Sequence, residues 1–333
     1  MTTGLGVQRL ILPATTPALT TVPHAIPYQG SKRALARAII PLLPAGTTTL
    51  VEPFAGSAAV ALAARHLGAA SGAVLSDINE PLMNLWRRIL RDPSGLADDY
   101  AALWHAQLDD PRAYYIRVRS RFNATGEPHL LLYLLSRCVK AAVRYSRTGA
   151  FNQSADHRRL GARPELTRDR LAAVASALAG ATVRTGDYGP LLVEADRSAV
   201  VYLDPPYQGV TNVRDHRYVR GLDRAELEAA LGEAVGREVS FLVSYDVVTE
   251  SKQYGEKLSD HLGLTHLHVV AGRSTQATLH GRSRITVESL YLSPALVDRL
   301  GGPDRLPLTA GNRPERKQPP WRAAAGMPGT MGP

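Results

Sequence analysis

Apolar residues in this chain fall into short runs that end at an acid and longer stretches that recur at helical spacing. Val200-Val201-Tyr202-Leu203 stops at Asp204 and two prolines, Thr49-Leu50-Val51 at Glu52, and Ala73-Val74-Leu75-Ser76 at Asp77. Short runs of β-compatible side chains bounded by turn residues read as buried strands. Thr182-Val183-Arg184, Val239 to Asp246 and Ile285 to Leu292 predict further strands. Helical spacing covers Ala34, Leu35, Ala38, Ile39 and Leu42, then Ala58 to Leu67 closed by Gly68, then Asn79 to Leu90, where Asn79 and Pro81 are start signals. Asp223 predicts the cap of a helix running to about Val235, and Leu130 to Val143 a strongly apolar helix.

Strand, Gly-containing turn and helix, followed by a second strand, form the opening unit of a Rossmann-like α/β fold. From about Asp98 to Ala179 the strand pattern gives way to helical periods studded with arginine. We therefore expect an α/β catalytic domain built from residues 23–97 and 183–298, interrupted by a mainly helical insert over 98–182. Residues 1–22 are rich in Thr, Pro and Gly, and the end of the chain in Gly, Pro and Arg. Neither holds a sustained period, so 1–22 is expected to be a disordered leader and 299–333 a disordered basic tail.

Composition adds a partner to this picture. The 333 residues are 44% hydrophobic and 21% charged, as in a soluble globular protein, but carry a net charge of +9. Such a balance suits a polyanion, nucleic acid first, although a basic tail also produces it. Cys138 is the only cysteine, which excludes an intramolecular disulfide and a multi-cysteine metal site; no zinc-type His spacing occurs, and no metal is expected. There is no apolar run long enough to span a membrane and no secretion signal, so a cytoplasmic location is expected.

The chemistry concentrates at strand ends. Proline at 205 pushes Asp204 into extended geometry, and the rings of Pro205 and Pro206 stiffen the loop that carries Tyr207. A carboxylate, two carbonyls and a phenol are thereby presented where open α/β sheets bind ligands, unless the loop merely ends a core strand. Tyr28 and Lys32 flank Gly30, a turn that suits a charged aromatic small molecule or an ordinary helix cap at Ser31. Asp77 lies twenty-one residues after Gly56, the spacing of a ribose-binding acid; the alternative is that it starts the following helix. Asp187 and Tyr188 either bracket a purine or form a simple turn. In the insert, Arg144, Tyr145, Arg147, Asn152 and Gln153, then Arg158 and Arg159, combine groups that neutralise phosphates and pair with base edges; Arg273 joins them from the last part of the chain. A charge-rich stretch is also often a plain solvated face, but this one interrupts the α/β pattern just before the Asp204 strand.

Taken in order, these motifs resemble the Dam-like (alpha-group) adenine-specific DNA methyltransferases. The resemblance covers roughly residues 26 to 293 and rests on Tyr28 with Gly30-Ser31-Lys32, Glu52-Pro53-Phe54-Ala55-Gly56, Asp77, the insert, Asp204-Pro205-Pro206-Tyr207 and the segment holding Arg273 and Glu288. It implies a Rossmann-like S-adenosylmethionine-dependent methyltransferase sheet with an inserted target-recognition domain, acting as a monomer on double-stranded DNA for restriction-modification or epigenetic marking. A cognate restriction endonuclease acting separately is left open. Methyl transfer would go to the N6 amine of a flipped-out adenine. By the resemblance, Asp77 holds the cofactor ribose, Lys32, Phe54 and Gly56 its methionine part, and Asp187 and Tyr188 its adenine, with Tyr28 and Glu52 in the same cofactor-binding set. Asp204 and the Pro205 carbonyl can each accept an amine hydrogen, localising the nitrogen lone pair, while Tyr207 offers a stacking face. Three positions depart from the family: Ala58 stands where many relatives carry a second glycine, Ser31 where Dam has glycine, and Arg137-Cys138-Val139-Lys140 where relatives show an Asn/Phe/Gly pattern. The GATC target is not carried over. Rival readings are methylation of another planar amine, such as cytosine N4 or an RNA adenine, and a catalytically silent DNA-binding protein of the same fold.

Overall fold

The apolar runs line up as parallel neighbours in the middle of one sheet. A computed structural model describes residues 8–10, 21–206, 222–249, 252–254, 256–273 and 285–306. Among them, β1 (Gln8–Leu10), β2 (Thr49–Glu52), β3 (Gly72–Asp77), β4 (Thr182–Thr185), β5 (Val200–Leu203), β6 (Phe241–Thr249), β7 (Lys252–Tyr254), β8 (Thr265–Arg273) and β9 (Ile285–Leu292) form a nine-stranded sheet. Its order is β1-β8-β9-β6-β5-β2-β3-β4, with β7 paired to β6. Strands β4, β3, β2, β5 and β6 run parallel; β9 is antiparallel to both β6 and β8. The chain leaves β2 toward β3 and β4 and returns to β5 on the other side of β2. That reversal is a topological switch point, where such sheets bind ligands beyond the carboxyl ends of the strands.

Side-chain alternation divides the central strands between two cores. Leu50, Val200 and Tyr202 face one, with α1 (Ala36–Ile39), α2 (Ala59–His66) and α3 (Glu80–Arg91); Val51, Val201 and Leu203 face the other, with α8 (Tyr188–Val193) and α9 (Arg224–Gly236). Four helices of the interrupting segment, α4 (Pro93–Ala106), α5 (Pro111–Thr125), α6 (Pro128–Arg137) and α7 (Pro164–Ala177), bury Tyr100, Tyr115, Leu130 to Leu135 and Leu171 in the first of these cores. The insert therefore shares a core with the sheet, and its expected boundary at residue 98 falls inside α4.

Several elements differ from the sequence expectation. The apolar helix ends at Arg137 rather than Val143, because Cys138 turns extended, its backbone pairs with Ala155, and Lys140 and Ala141 take left-handed conformations. Ser31 does not cap a helix: α1 starts only at Ala36, and the Ser31 hydroxyl accepts a hydrogen bond from Ser57 at 2.7 Å. The expected leader supplies β1, parallel to β8, and a buried Val22. The expected tail begins inside a helix, α10 (Pro294–Arg299), whose Arg299 donates to the carbonyls of Ala199 (2.7 Å) and Ser198 (3.1 Å) and so ties it to the entry of β5. No helix among the described residues is long and apolar enough to cross a membrane.

Candidate active site

Three acids stand at the ends of three adjacent strands: Glu52 closing β2, Asp77 closing β3 and Asp204 just past β5. Each is held differently. Asp204 meets the Lys32 ammonium at 3.2 Å, and the same ammonium lies 3.4 Å from Glu288 on β9. Burial pushes the Asp204 carboxyl up to about 6; Lys32 opposes the shift and the like charge of Glu288 adds to it. Pro205 is buried behind it and Pro206 partly so.

Glu52 points into the protein. Its Oε2 accepts the Ala61 N–H at 2.9 Å, satisfying a donor in the first turn of α2, whose own N-cap residue Ala58 makes no side-chain cap. Burial pushes this carboxyl up to about 8 against the pull of the Ala61 and Val60 amides, with Asp204 adding to the rise. From beneath the Gly turn Glu52 caps α2, a role that the expectation of a cofactor ligand did not include.

Asp77 faces that turn from the next strand. Its Oδ2 accepts the Gly56 N–H at 3.3 Å and its Oδ1 the Asn79 N–H at 2.9 Å; burial raises its carboxyl while these amides oppose the shift. Each oxygen retains a lone pair for a hydroxyl. Gly56 has a φ of +47°, and a Cβ there would stand 3.2 Å from the Tyr28 ring, so both conformation and space call for glycine. Trp86 of α3 fixes the turn from below, its Nε1 donating to the Gly56 carbonyl at 3.0 Å. Phe54 and the buried Tyr188 place their rings 5.2 Å apart along one wall. Asp187 is exposed and accepts the Gly189 N–H at 3.0 Å, capping α8.

The insert reaches this site through a hairpin. Tyr145 and Phe151 pair across it, and Gly149, at φ +80°, makes its turn, leaving Arg144, Arg147 and Asn152 exposed. Two residues expected on DNA point inward instead. Tyr145 is buried and its hydroxyl donates to Asn79 Oδ1 at 3.1 Å; Gln153 is buried with its amide donating to the Val139 carbonyl at 2.9 Å. Both are spent on the fold because a buried polar group must find a partner there. Arg158 and Arg159 are exposed and tethered by the buried Asp156, at 3.5 and 2.7 Å. Tyr207 lies outside the described residues, and Arg273 ends β8 opposite Ile285.

Trp86, Asn79 and Asp156 were not among the site residues expected from the sequence. Trp86 and Asn79 carried only the signal of a helix, and Asp156 that of an acid in a basic stretch.

An open, mostly parallel sheet with a glycine turn after β2, an acid after β3 and an Asp-Pro-Pro stop after β5 has the architecture of the Rossmann-like S-adenosylmethionine-dependent methyltransferases. A family model, the D12 class N6 adenine-specific DNA methyltransferase, matches residues 28–276, and the chain belongs to that family. The chain is 30% identical over 184 residues to a DNA adenine methylase of Serratia marcescens, covering 54% of this chain and 65% of the relative, just under two thirds of its length. A DNA adenine methylase of Haemophilus influenzae is 28% identical over 227 residues, covering 65% of this chain and 77% of the relative. The DNA N-6-adenine-methyltransferase of Escherichia phage P1 is 26% identical over 203 residues, covering 59% of this chain and 25% of the relative.

Proposed function

We propose that this chain methylates the N6 amine of an adenine flipped out of double-stranded DNA, using S-adenosylmethionine. The observation that carries the reading is the Asp204 carboxylate, fixed by Lys32 at the switch point of the sheet beside the glycine turn. When bound, S-adenosylmethionine supplies an electrophilic methyl group on a sulfonium sulfur. The residues fit it: Asp77 offers two acceptor oxygens to the ribose, the Gly56 turn leaves backbone open to close approach, and Phe54 with Tyr188 offers aromatic surface to the purine.

Asp204 and the Pro205 carbonyl each accept one hydrogen of the target amine, turning the nitrogen lone pair away from the ring and out for attack. Tyr207, next in sequence, gives the extrahelical base a face to stack on. Arg144, Arg147 and Asn152 on the hairpin, with Arg158 and Arg159, contact DNA, phosphates fixing register and base edges giving sequence preference. Residues 98–182 act as the target-recognition segment, although they share the sheet's core. Asp204→Ala should lower single-turnover methyl transfer by roughly a thousandfold or more while leaving DNA affinity within about twofold, as loss of an interaction made in the transition state does. Near-normal turnover in that variant would remove Asp204 from the chemistry.

A further inference from the structure

Glu288 sits where the sheet pattern calls for an apolar residue. On β9 it shares a face with Leu290 and Leu292, both fully buried, and its own side chain is 15% exposed. Replacing a buried ion pair by packed hydrophobic residues is often neutral or stabilising, so the carboxylate is not explained by stability. Opposite Glu288 to Leu290, β6 carries an extra residue between Ser244 and Val247, a bulge of the kind found beside active sites. The Glu288 carboxylate meets the Lys32 ammonium at 3.4 Å, and that ammonium meets Asp204 at 3.2 Å. β9 is separated from β5 by β6, so three distant stretches of chain converge on one nitrogen.

We propose that Glu288 is a positioning residue of the methyl-transfer centre, acting through Lys32: the shared ammonium engages Asp204 at Oδ1, leaving Oδ2 to accept the target amine's hydrogen, and the two carboxylates divide its charge. This rests on the methyltransferase reading above. With Glu288 gone, Lys32 neutralises Asp204 alone and weakens it as an acceptor. With Lys32 gone, two desolvated carboxylates face each other and Asp204 takes up a proton. Among the described residues, the titratable groups that bear on Asp204 are Lys32, Glu288 and, from β2, Glu52. Glu52 remains protonated through the range in which Asp204 titrates, so the balance is set by the other two.

The test is the titration of Asp204 in the full-length protein, read by the carboxyl carbon resonance of 13C-aspartate and assigned by its loss in Asp204→Asn. The acid limb of single-turnover methyl transfer is measured alongside. The wild type should titrate near pH 6, with transfer falling below it. Glu288→Gln should move both midpoints down, and Lys32→Gln both up, each by roughly one pH unit. Lys32→Arg should keep them near the wild-type position. A plain staple between strands would lower stability and rate but leave the midpoints in place; unmoved midpoints, or shifts in the same direction, overturn the proposal. Should Lys32→Gln fail to fold, Glu288→Gln and Lys32→Arg decide it: a downward shift in the first with none in the second supports it, and any other pattern overturns it. Opposed resonance shifts in a protein that methylates no adenine would overturn the function but leave the charge bridge standing; adenine methylation with unmoved midpoints would do the reverse.

Discussion

Glu52 takes up its proton where most glutamates have lost theirs. Its folded-state carboxyl titrates at about 8, above the 4.5 of an unperturbed glutamate, so between those values the folded protein holds a proton that the unfolded chain has released. Stability linked to this group is therefore lost as pH rises through that window, at up to about 1.4 kcal/mol per pH unit. Asp204 contributes with the same sign at lower pH and cancels in a comparison of variants. Glu52→Gln, which keeps the acceptor for the Ala61 amide, should match the wild type near pH 5 and be more stable at pH 8 by a few kcal/mol. Urea unfolding at the two pH values measures this, and parallel losses in both proteins would show that Glu52 is ionised when folded. The presence of acids at strand ends was legible in the sequence, since an apolar run that stops at an acid and a proline has few other readings. Their direction was not: Glu52 and Asp77 end neighbouring strands, yet one turns into the protein to cap α2 and the other faces the glycine turn. Ala58 shows the same limit. Its φ of 50° lies in the left-handed region, which gives the glycine of many relatives a physical reason that residue type alone did not disclose.

Elements built from local signals matched expectation closely. β2 and β9 have the expected bounds, and Asp223 caps α9 through the Ala225 and Glu226 amides. Those stabilised by distant partners were missed: β1 exists by pairing with β8, α10 is tied to β5 through Arg299, and α6 stops early because Cys138 pairs with Ala155. The hairpin of the insert belongs to this second kind. Its Tyr145 reaches across to Asn79, whose backbone amide in turn holds Asp77, so the segment with the exposed arginines is hydrogen-bonded to the wall of the proposed cofactor site. Tyr145→Phe should cost about 1 kcal/mol of stability. It should also weaken cofactor binding several-fold while leaving DNA affinity within about twofold, as calorimetry of each ligand would measure. The opposite pattern, DNA binding lost and cofactor binding intact, would restore Tyr145 to the DNA interface.

At the scale of the whole molecule, helices from the interrupting segment and helices of the sheet's own βα units pack into one core. An inserted helical domain was expected because the strand pattern gives way to helical periods near residue 98; periodicity does not report which apolar faces meet. A shared core gives the arginine-bearing hairpin a fixed position relative to Asp204, which suits the proposed chemistry, in which a base, a methyl group and two acceptors must be aligned. In the proposed function, the net charge of +9 adds an attraction to DNA that should weaken with salt. The central claim is that this machinery places a methyl group on one nitrogen of one base. It is tested most directly by incubating the purified protein with methyl-labelled S-adenosylmethionine and double-stranded DNA of varied sequence, digesting to nucleosides and locating the label. The label should appear in N6-methyladenine; label confined to cytosine, or cofactor bound with no label transferred to DNA, would contradict the account.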